Sequence, residues 1–364
     1  MITWLELNKD NLAHNIKQFK KIAPQSEIWP VVKSNAYGHG VEQIASLLDQ
    51  NDDVTGLMTV NLEEAIALTK ITSKSLVVLS YFDTSPEAEE SLKIAAEQKI
   101  ILPIYDLKTA EYLNSLNHKF LINIKIDTGT SRLGFRAEES EDVIKKIEKL
   151  DNLKIISLFT HFAESESNNQ DFTEQQLEKF RNITDQFPQY KKHAACSAAS
   201  LSQPTAQGDM IRLGVSLYGL WPSEETKQLG KEKNIELKPV LSWKTKIIQV
   251  KDIKVGETVG YNRTWQADED IKIAILPIGY NEGYDRSLSN KAQVIIKNKK
   301  YPVRGNICMN LTMVELPQET EIGVGEVVTL LGDDITAEEI AFLSQTINYE
   351  VVTRINSNLP RVII

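Results

Sequence analysis

The chain has 364 residues, 41% of them hydrophobic and 25% charged, a balance typical of a globular protein long enough for two domains. Its formal net charge of −9 argues against nucleic acid or an anionic membrane as the main partner, and no window is apolar for long enough to span a bilayer. Two cysteines exclude a disulfide scaffold, and the N-terminus lacks a signal-peptide pattern, so we expect a cytoplasmic protein.

Eight apolar, strand-like runs alternate with amphipathic, helix-like segments through the first two thirds of the chain. Eight strand–helix repeats within roughly 230 residues predict a (β/α)8 barrel. The predicted strands lie near residues 28–32, 56–60, 76–80, 101–105, 120–126, 155–160, 190–195 and 210–213, and the clearest helical segments cover 41–50, 86–98, 138–150 and 171–187.

From about Lys238 the pattern changes to short β-rich runs joined by Gly, Pro and Asn turns, with few helical patterns between them. These runs cover residues 240–250, 271–277, 293–296, 301–303 and 327–331. A lysine- and glutamate-rich stretch at 229–239 separates the two patterns. We therefore predict an α/β fold with an N-terminal barrel at 1–233 and a C-terminal, mainly β domain at 234–364.

Lys33 directly follows the first predicted strand and precedes a polar loop that contains two glycines. A partly desolvated amine loses its proton readily and becomes a nucleophile, so Lys33 is a candidate Schiff-base residue. A lone strand-end lysine more often reaches solvent. Here, however, polar clusters also follow later strands, at the end where barrels of this kind gather their chemistry. These clusters are Lys125 with Asp127, His161, Cys196 with Ser197, and Arg212 with Gly214 and Val215.

The segment Val31–Gly40 resembles, nearly letter for letter, the pyridoxal-phosphate lysine segment of the alanine racemase family. Residues 256–262, 277–284 and 305–310 resemble the second-domain motifs of that family, and the likeness extends from Trp4 to Arg361. The resemblance implies a pyridoxal 5'-phosphate enzyme that interconverts L-alanine and D-alanine, supplies D-alanine for peptidoglycan and acts as a homodimer with shared active sites. No spacing of His, Cys and carboxylate residues suggests a metal site.

The resemblance also implies a role for each matched residue. Lys33 and Tyr261 are the two bases that act on opposite faces of the substrate, and His161, held by Arg212, helps Tyr261 to lose its proton. Arg212 can only donate to the pyridine nitrogen, which keeps that nitrogen neutral and suits a reaction that moves one proton. The remaining assignments are Tyr37, Ser197, Gly214 and Val215 for the cofactor, Arg132 and Met309 for the substrate, and Lys125 as a lysine that is often carbamylated.

Departures from the family pattern cluster at the predicted substrate mouth and concern substrate size and access. They are Thr130–Ser131 for Met-Gly, Cys196 for Asn, Asn281–Glu282 for Ala-Asp, Asn306 and Asn310 for Arg and Asp, and Ser357 for a gate tyrosine. A broader racemase that also accepts serine is therefore the nearest alternative. A non-catalytic pyridoxal-phosphate carrier is opposed by Tyr261 in its context, and a barrel decarboxylase is opposed by Arg212, which stands where such an enzyme needs a carboxylate.

Overall fold

The computed structural model describes residues 1–364. Contacts divide the chain into two compact units, a barrel unit of residues 13–36 and 44–238 and a β unit of residues 1–12, 37–43 and 239–364. The strands are β1 Thr3–Leu7, β2 Glu27–Pro30, β3 Gly56–Asn61, β4 Ser75–Tyr81, β5 Ile101–Ile104, β6 Phe120–Asp127, β7 Phe135–Arg136, β8 Leu153–Phe159, β9 Lys191–His193, β10 Met210–Leu213, β11 Leu241–Lys246, β12 Gln249–Ile253, β13 Ile271–Leu276, β14 Gln293–Ile296, β15 Lys299–Pro302, β16 Thr312–Pro317, β17 Val327–Leu331 and β18 Arg361–Ile363.

In the barrel unit, eight parallel strands form a closed ring in the order β2-β3-β4-β5-β6-β8-β9-β10. The ring closes through the β10–β2 pair, through the bridge Val31 to Met58, and through the bridge Cys196 to Arg212. All eight predicted barrel strands are confirmed. They could be predicted from the sequence because strands buried on both faces have nearly continuous apolar sequences, as in the fully buried β5.

Some of the helices that accompany the barrel strands begin at a residue whose side chain caps them. The Asn61 side chain accepts from the Glu64 N–H, and the Asp106 side chain accepts from the Thr109 N–H. The helices are Lys9–Ile22, Val41–Asp49, Leu62–Leu68, Glu89–Glu97, Leu107–Ser115, Ala137–Ile147, Asp171–Thr184, Ser197–Ser202 and Glu224–Glu232, with Ala337–Ser344 and Asn348–Thr353 in the β unit. No helix is both long and apolar enough to cross a membrane.

The β unit contains a six-stranded sheet, β15-β14-β17-β11-β1-β18, and a three-stranded sheet, β12-β13-β16. Its buried core includes Val259, Ala267, Ile271, Ile273 and Met313, with Trp265 packed against it. The predicted run 240–250 divides here into β11 and β12, which belong to different sheets. Strands β1, β16 and β18 were not predicted.

The sequence pattern placed all of residues 1–233 with the barrel, whereas the structure groups residues 1–12 and 37–43 with the β unit. Strand β1 pairs antiparallel with β11 and parallel with β18, so its partners lie far away in the sequence. The loop that begins at Tyr37 is held in the β unit by Arg361, whose Nη2 donates to the Gly38 carbonyl at 2.8 Å. The Tyr37 ring also packs against Tyr349, at 6.2 Å between ring centroids.

Candidate active site

Lys33 opens a single left-handed turn that no sequence pattern indicated. Ser34, Asn35 and Ala36 have φ angles between 52° and 54°, and Tyr37 has φ 52°. The left-handed region destabilises a residue other than glycine by roughly 1–2 kcal/mol, so four such residues in succession require stabilising contacts. The strain lies directly beside the candidate nucleophile, where such strain tends to be functional.

Glu64 provides one of the contacts that hold this turn. Its Oε1 accepts from the Ser34 N–H at 2.8 Å, and its Oε2 accepts from the Val60 N–H at 3.1 Å. The Tyr218 hydroxyl supports the strand just before the turn by donating to the Val31 carbonyl at 2.9 Å. Neither Glu64 nor Tyr218 was recognised from the sequence.

The pKa of the Lys33 amine is lowered, first by burial and then by the charge of Arg132, while Glu64 opposes the shift in part. A lowered pKa leaves a larger share of the amine neutral and nucleophilic near neutral pH. This is the property that the sequence analysis required of Lys33.

The Arg212 guanidinium is buried, and its two terminal nitrogens, which carry four N–H groups, lie within hydrogen-bond distance of five acceptors. Its Nη1 reaches the His193 Nδ1 at 2.8 Å and the His193 carbonyl at 3.0 Å. Its Nη2 reaches the Thr160 carbonyl at 2.8 Å, the Ala194 carbonyl at 2.7 Å and the His161 Nδ1 at 3.2 Å. Because Nη2 has three acceptors for two hydrogens, one of its N–H groups is shared between two of them. None of the five contacts uses the Nε–H of this fixed cation, which stays available as a donor.

The two histidines beside Arg212 are neutral. Burial, and after it the charge of Arg212, lowers the pKa of His161 and the pKa of His193 well below the usual value. Because each Nδ1 accepts from Arg212, each ring carries its proton on Nε2. His161 therefore presents an Nε2–H donor near the side chains of Arg212, Arg132, Lys125 and Lys33.

A buried polar chain supports His193 from behind. The ring stacks on Phe159 at 4.9 Å between centroids with an interplanar angle of 2°. Its Nε2 lies 3.1 Å from the Ser157 hydroxyl, which is 2.6 Å from the Asn123 Oδ1. Neither Ser157 nor Asn123 was recognised from the sequence, although a polar residue inside an otherwise apolar buried strand was an available signal.

Lys125 is only 4% exposed, and its ammonium lies 5.4 Å from the centroid of the Phe159 ring. Burial, followed by the charges of Arg132 and Arg212, lowers its pKa to about 8. An amine of this kind is costly to bury as a cation and reactive as a neutral group. The barrel unit thus brings Lys33, Lys125, Arg132, His161 and Arg212 into one mutually interacting cluster, the mouth cluster.

The loops after β9 and β10 meet at Ser197, whose hydroxyl accepts from the Gly214 N–H at 2.9 Å. Ser197 and Val215 are both buried. The structure thus joins the two loops that the sequence assigned to phosphate binding.

The remaining predicted site residues belong to the β unit. Tyr37 is buried there, whereas Tyr261 is 70% exposed and Met309 56% exposed.

Three of the departures from the family pattern form one hydrogen-bonded group. The Glu282 Oε1 accepts from the Asn281 Nδ2 at 2.9 Å and from the Asn310 Nδ2 at 2.7 Å, and its Oε2 accepts from the Gly279 N–H at 2.8 Å. Because these residues contact one another, their substitutions act together.

The closed parallel barrel and the second, mainly β unit define the class of two-domain proteins in which a (β/α)8 barrel is joined to a β domain. The family models for the N-terminal and C-terminal domains of alanine racemase match residues 7–222 and 240–363. The chain therefore belongs to the alanine racemase family.

Individual relatives agree with the family match over the full length. An alanine racemase from Leptospira interrogans is 33% identical over 376 residues, which span 100% of this chain and 96% of that protein. One from Halothermothrix orenii is 35% identical over 373 residues, which span 99% of this chain and 96% of that protein. The solved structure of the Clostridium difficile 630 alanine racemase superimposes with a TM-score of 0.92 at 33% identity, covering 100% of this chain and 96% of that chain.

Proposed function

We propose that this chain interconverts L-alanine and D-alanine with pyridoxal 5'-phosphate and supplies D-alanine for peptidoglycan in the cytoplasm. The observation that carries the proposal is the mouth cluster, in which a lysine with a lowered pKa stands with an arginine whose Nε–H is unengaged. The positive charges of Arg132 and Arg212 in this cluster also suit an anionic cofactor and a substrate carboxylate.

The residues present fit the carbonyl group, the ring nitrogen and the phosphate of the cofactor. Lys33 offers a nucleophilic amine for the carbonyl carbon, and the Nε–H of Arg212 offers a donor for the ring nitrogen. The Ser197 hydroxyl, the Val215 N–H and the Tyr37 phenol would hold the phosphate. The Gly214 N–H, which donates to the Ser197 oxygen, would orient that hydroxyl for it. When bound, pyridoxal phosphate withdraws electrons from the α-carbon of an attached amino acid and so acidifies its proton.

The residues of the chain then have to remove a proton from one face of the substrate and deliver a proton to the opposite face. Lys33 serves one face, and Tyr261 serves the other. His161, neutral and fixed by Arg212, would donate its Nε2–H toward the Tyr261 oxygen and stabilise the phenolate. Arg132 would pair with the substrate carboxylate, and Met309 would contact the substrate. The exposed position of Tyr261 on the β unit supports a homodimer in which Tyr261 of the partner subunit completes the site.

Incubation of the purified protein with pyridoxal phosphate and either L-alanine or L-serine, followed by chiral chromatography, tests the proposed function. We expect L-alanine to approach an equal mixture of enantiomers, with slower conversion of L-serine. Release of carbon dioxide, or binding without conversion, would favour the decarboxylase or the carrier instead.

Ser357 makes the substrate mouth a test of specificity. A small exposed hydroxyl stands here where the family commonly has a tyrosine, and one extra substrate hydroxyl is typically worth only about 1–3 kcal/mol in a pocket without a dedicated partner. We expect Ser357→Tyr to raise the ratio of kcat/KM for alanine to that for serine. An unchanged ratio would show that Ser357 does not widen the mouth.

Lys125 should make the stability of the protein depend on pH in the alkaline range. Its folded pKa of about 8 lies below its usual value of 10.5, so the unfolded chain binds more protons between these two values. The free energy of unfolding contributed by this group therefore rises as the pH increases from about 8 to 10.5. We expect Lys125→Met to lose this rise in urea unfolding measured across the window, whereas the exposed-lysine variant Lys154→Met keeps it.

The same amine is the proposed site of carbamylation. Carbon dioxide would form a bond with the neutral Lys125 nitrogen and release a proton, which yields an anion beside Arg132. Bicarbonate should therefore raise the unfolding temperature of the natural protein and leave that of Lys125→Met unchanged. An equal response of both proteins to bicarbonate would contradict carbamylation of Lys125.

A further inference from the structure

The loop that carries Tyr261 has an intrinsically unfavourable backbone conformation. Tyr261–Arg263 form one short 3-10 turn in which Asn262 has φ 62° and Arg263 has φ 52°. Two successive non-glycine residues with positive φ are unfavourable without support from neighbouring groups. The proposed second base therefore depends on contacts outside its own turn.

Asn306 provides a contact at Tyr261 itself. Its Nδ2 donates to the Tyr261 carbonyl at 2.9 Å. The two loops are also closely packed, since a Cβ added to Gly260 would lie 3.2 Å from the Asn306 backbone nitrogen and 2.9 Å from the Met313 Cε. The side chain of Asn306, which the sequence suggested mainly as a lost cation, thus fixes the peptide from which the phenol extends.

The residues before and after Asn306 are themselves held by hydrogen bonds. The Asn290 Oδ1 accepts from the Gly305 N–H at 2.6 Å, and the Ser289 hydroxyl accepts from the Ile307 N–H at 2.9 Å. The Asn290 Nδ2 also donates to the Thr264 hydroxyl at 3.2 Å, just beyond the Tyr261 turn. The Asn290 side chain is therefore hydrogen-bonded both to the loop that contains Asn306 and to the loop that contains Tyr261.

We propose that Asn306 and Asn290 form an amide clasp, two positioning residues that set the orientation of Tyr261 for proton transfer on its face of the substrate. This inference rests on the proposed function, because it gives the clasp its role through Tyr261. Neither asparagine needs to touch the substrate. Loss of the clasp should therefore impair the transfer that uses Tyr261 and spare the transfer that uses Lys33.

Asn306→Asp tests the clasp with the smallest change, because a carboxylate of the same shape cannot donate to the Tyr261 carbonyl. Exchange of the α-proton with deuterated solvent should fall about ten- to a hundredfold for the enantiomer that Tyr261 serves, the size expected for a misplaced catalytic group. Exchange for the other enantiomer, the unfolding temperature and the visible band of the bound cofactor should stay near those of the natural protein. Asn298→Asp, in the hairpin turn between β14 and β15, is the matched control for the charge change.

A second variant separates positioning from local folding. Asn290 has φ 60°, so Asn290→Gly keeps that backbone accessible while removing both side-chain hydrogen bonds. It should give the same one-sided loss, and Asn306→Asp should add no further loss in a Tyr261→Phe background. Equal losses for both enantiomers, or no loss in either variant, would overturn the clasp.

Failure of the clasp can be told apart from failure of the proposed function. If Tyr261→Phe gives a one-sided loss and Asn306→Asp does not, Tyr261 remains a base and only the clasp is wrong. If Tyr261→Phe itself gives no one-sided loss, the two-base proposal fails, and the clasp fails with it.

Discussion

Lys33→Ala should reduce racemisation by roughly 10⁴-fold or more, because it removes both the amine that holds the cofactor and the base on one face of the substrate. The natural protein should absorb visible light with pyridoxal phosphate, and the variant should lose that band. Borohydride should trap the cofactor on Lys33 in the natural protein, as peptide mass spectrometry can show. The partly buried position of Lys33 and its lowered pKa are the reasons to expect this reactivity.

Two controls distinguish lost chemistry from lost folding. Lys154→Ala removes an exposed lysine of β8 and should keep the band and the activity. Added methylamine should restore part of the proton exchange to Lys33→Ala by supplying a small amine in the vacated space. An unchanged spectrum in Lys33→Ala would show that another residue binds the cofactor.

Tyr261→Phe should reduce racemisation by roughly 10²–10⁴-fold, the range expected when one acid–base group is removed. The loss should be one-sided, because Lys33 still serves its own face. Exchange of the α-proton with deuterated solvent should continue from one enantiomer and nearly stop from the other, while the visible band of the cofactor is retained. Equal losses from both enantiomers would contradict a division of labour between the two bases.

The barrel could be predicted because its strands are buried on both faces and separated by amphipathic helices. Strands β1 and β18 could not, since they are short and each gains its place from partners far away in the sequence. The motif strings identified Lys33 and Arg212 as candidates. They gave no signal for the left-handed turn after Lys33, which contains no glycine until Gly38 and is held by Glu64 from another strand–helix connection.

The contacts that support the candidate site could not be predicted from the sequence either, because they join residues that only the folded chain brings together. Asn306 is recognisable in the sequence only as a departure from a pattern, and its hydrogen bond to the Tyr261 carbonyl depends on a meeting of two loops 45 residues apart. Likewise, Ser157 and Asn123 matter because the barrel places them behind His193. Sequence identifies groups with reactive chemistry more readily than the groups that orient them, because orientation is a property of tertiary contacts.

The central claim is that one barrel amine and one β-unit phenol, contributed by two subunits, together make a racemase site. Mixing the inactive Lys33→Ala and Tyr261→Phe proteins under conditions of subunit exchange tests it most directly. A mixed dimer with shared sites contains one site with both natural residues, so about a quarter of the natural activity should return at equal mixing. If Lys33 and Tyr261 of the same chain formed each site, every site in the mixture would lack one base, and the mixture would remain as inactive as its parts.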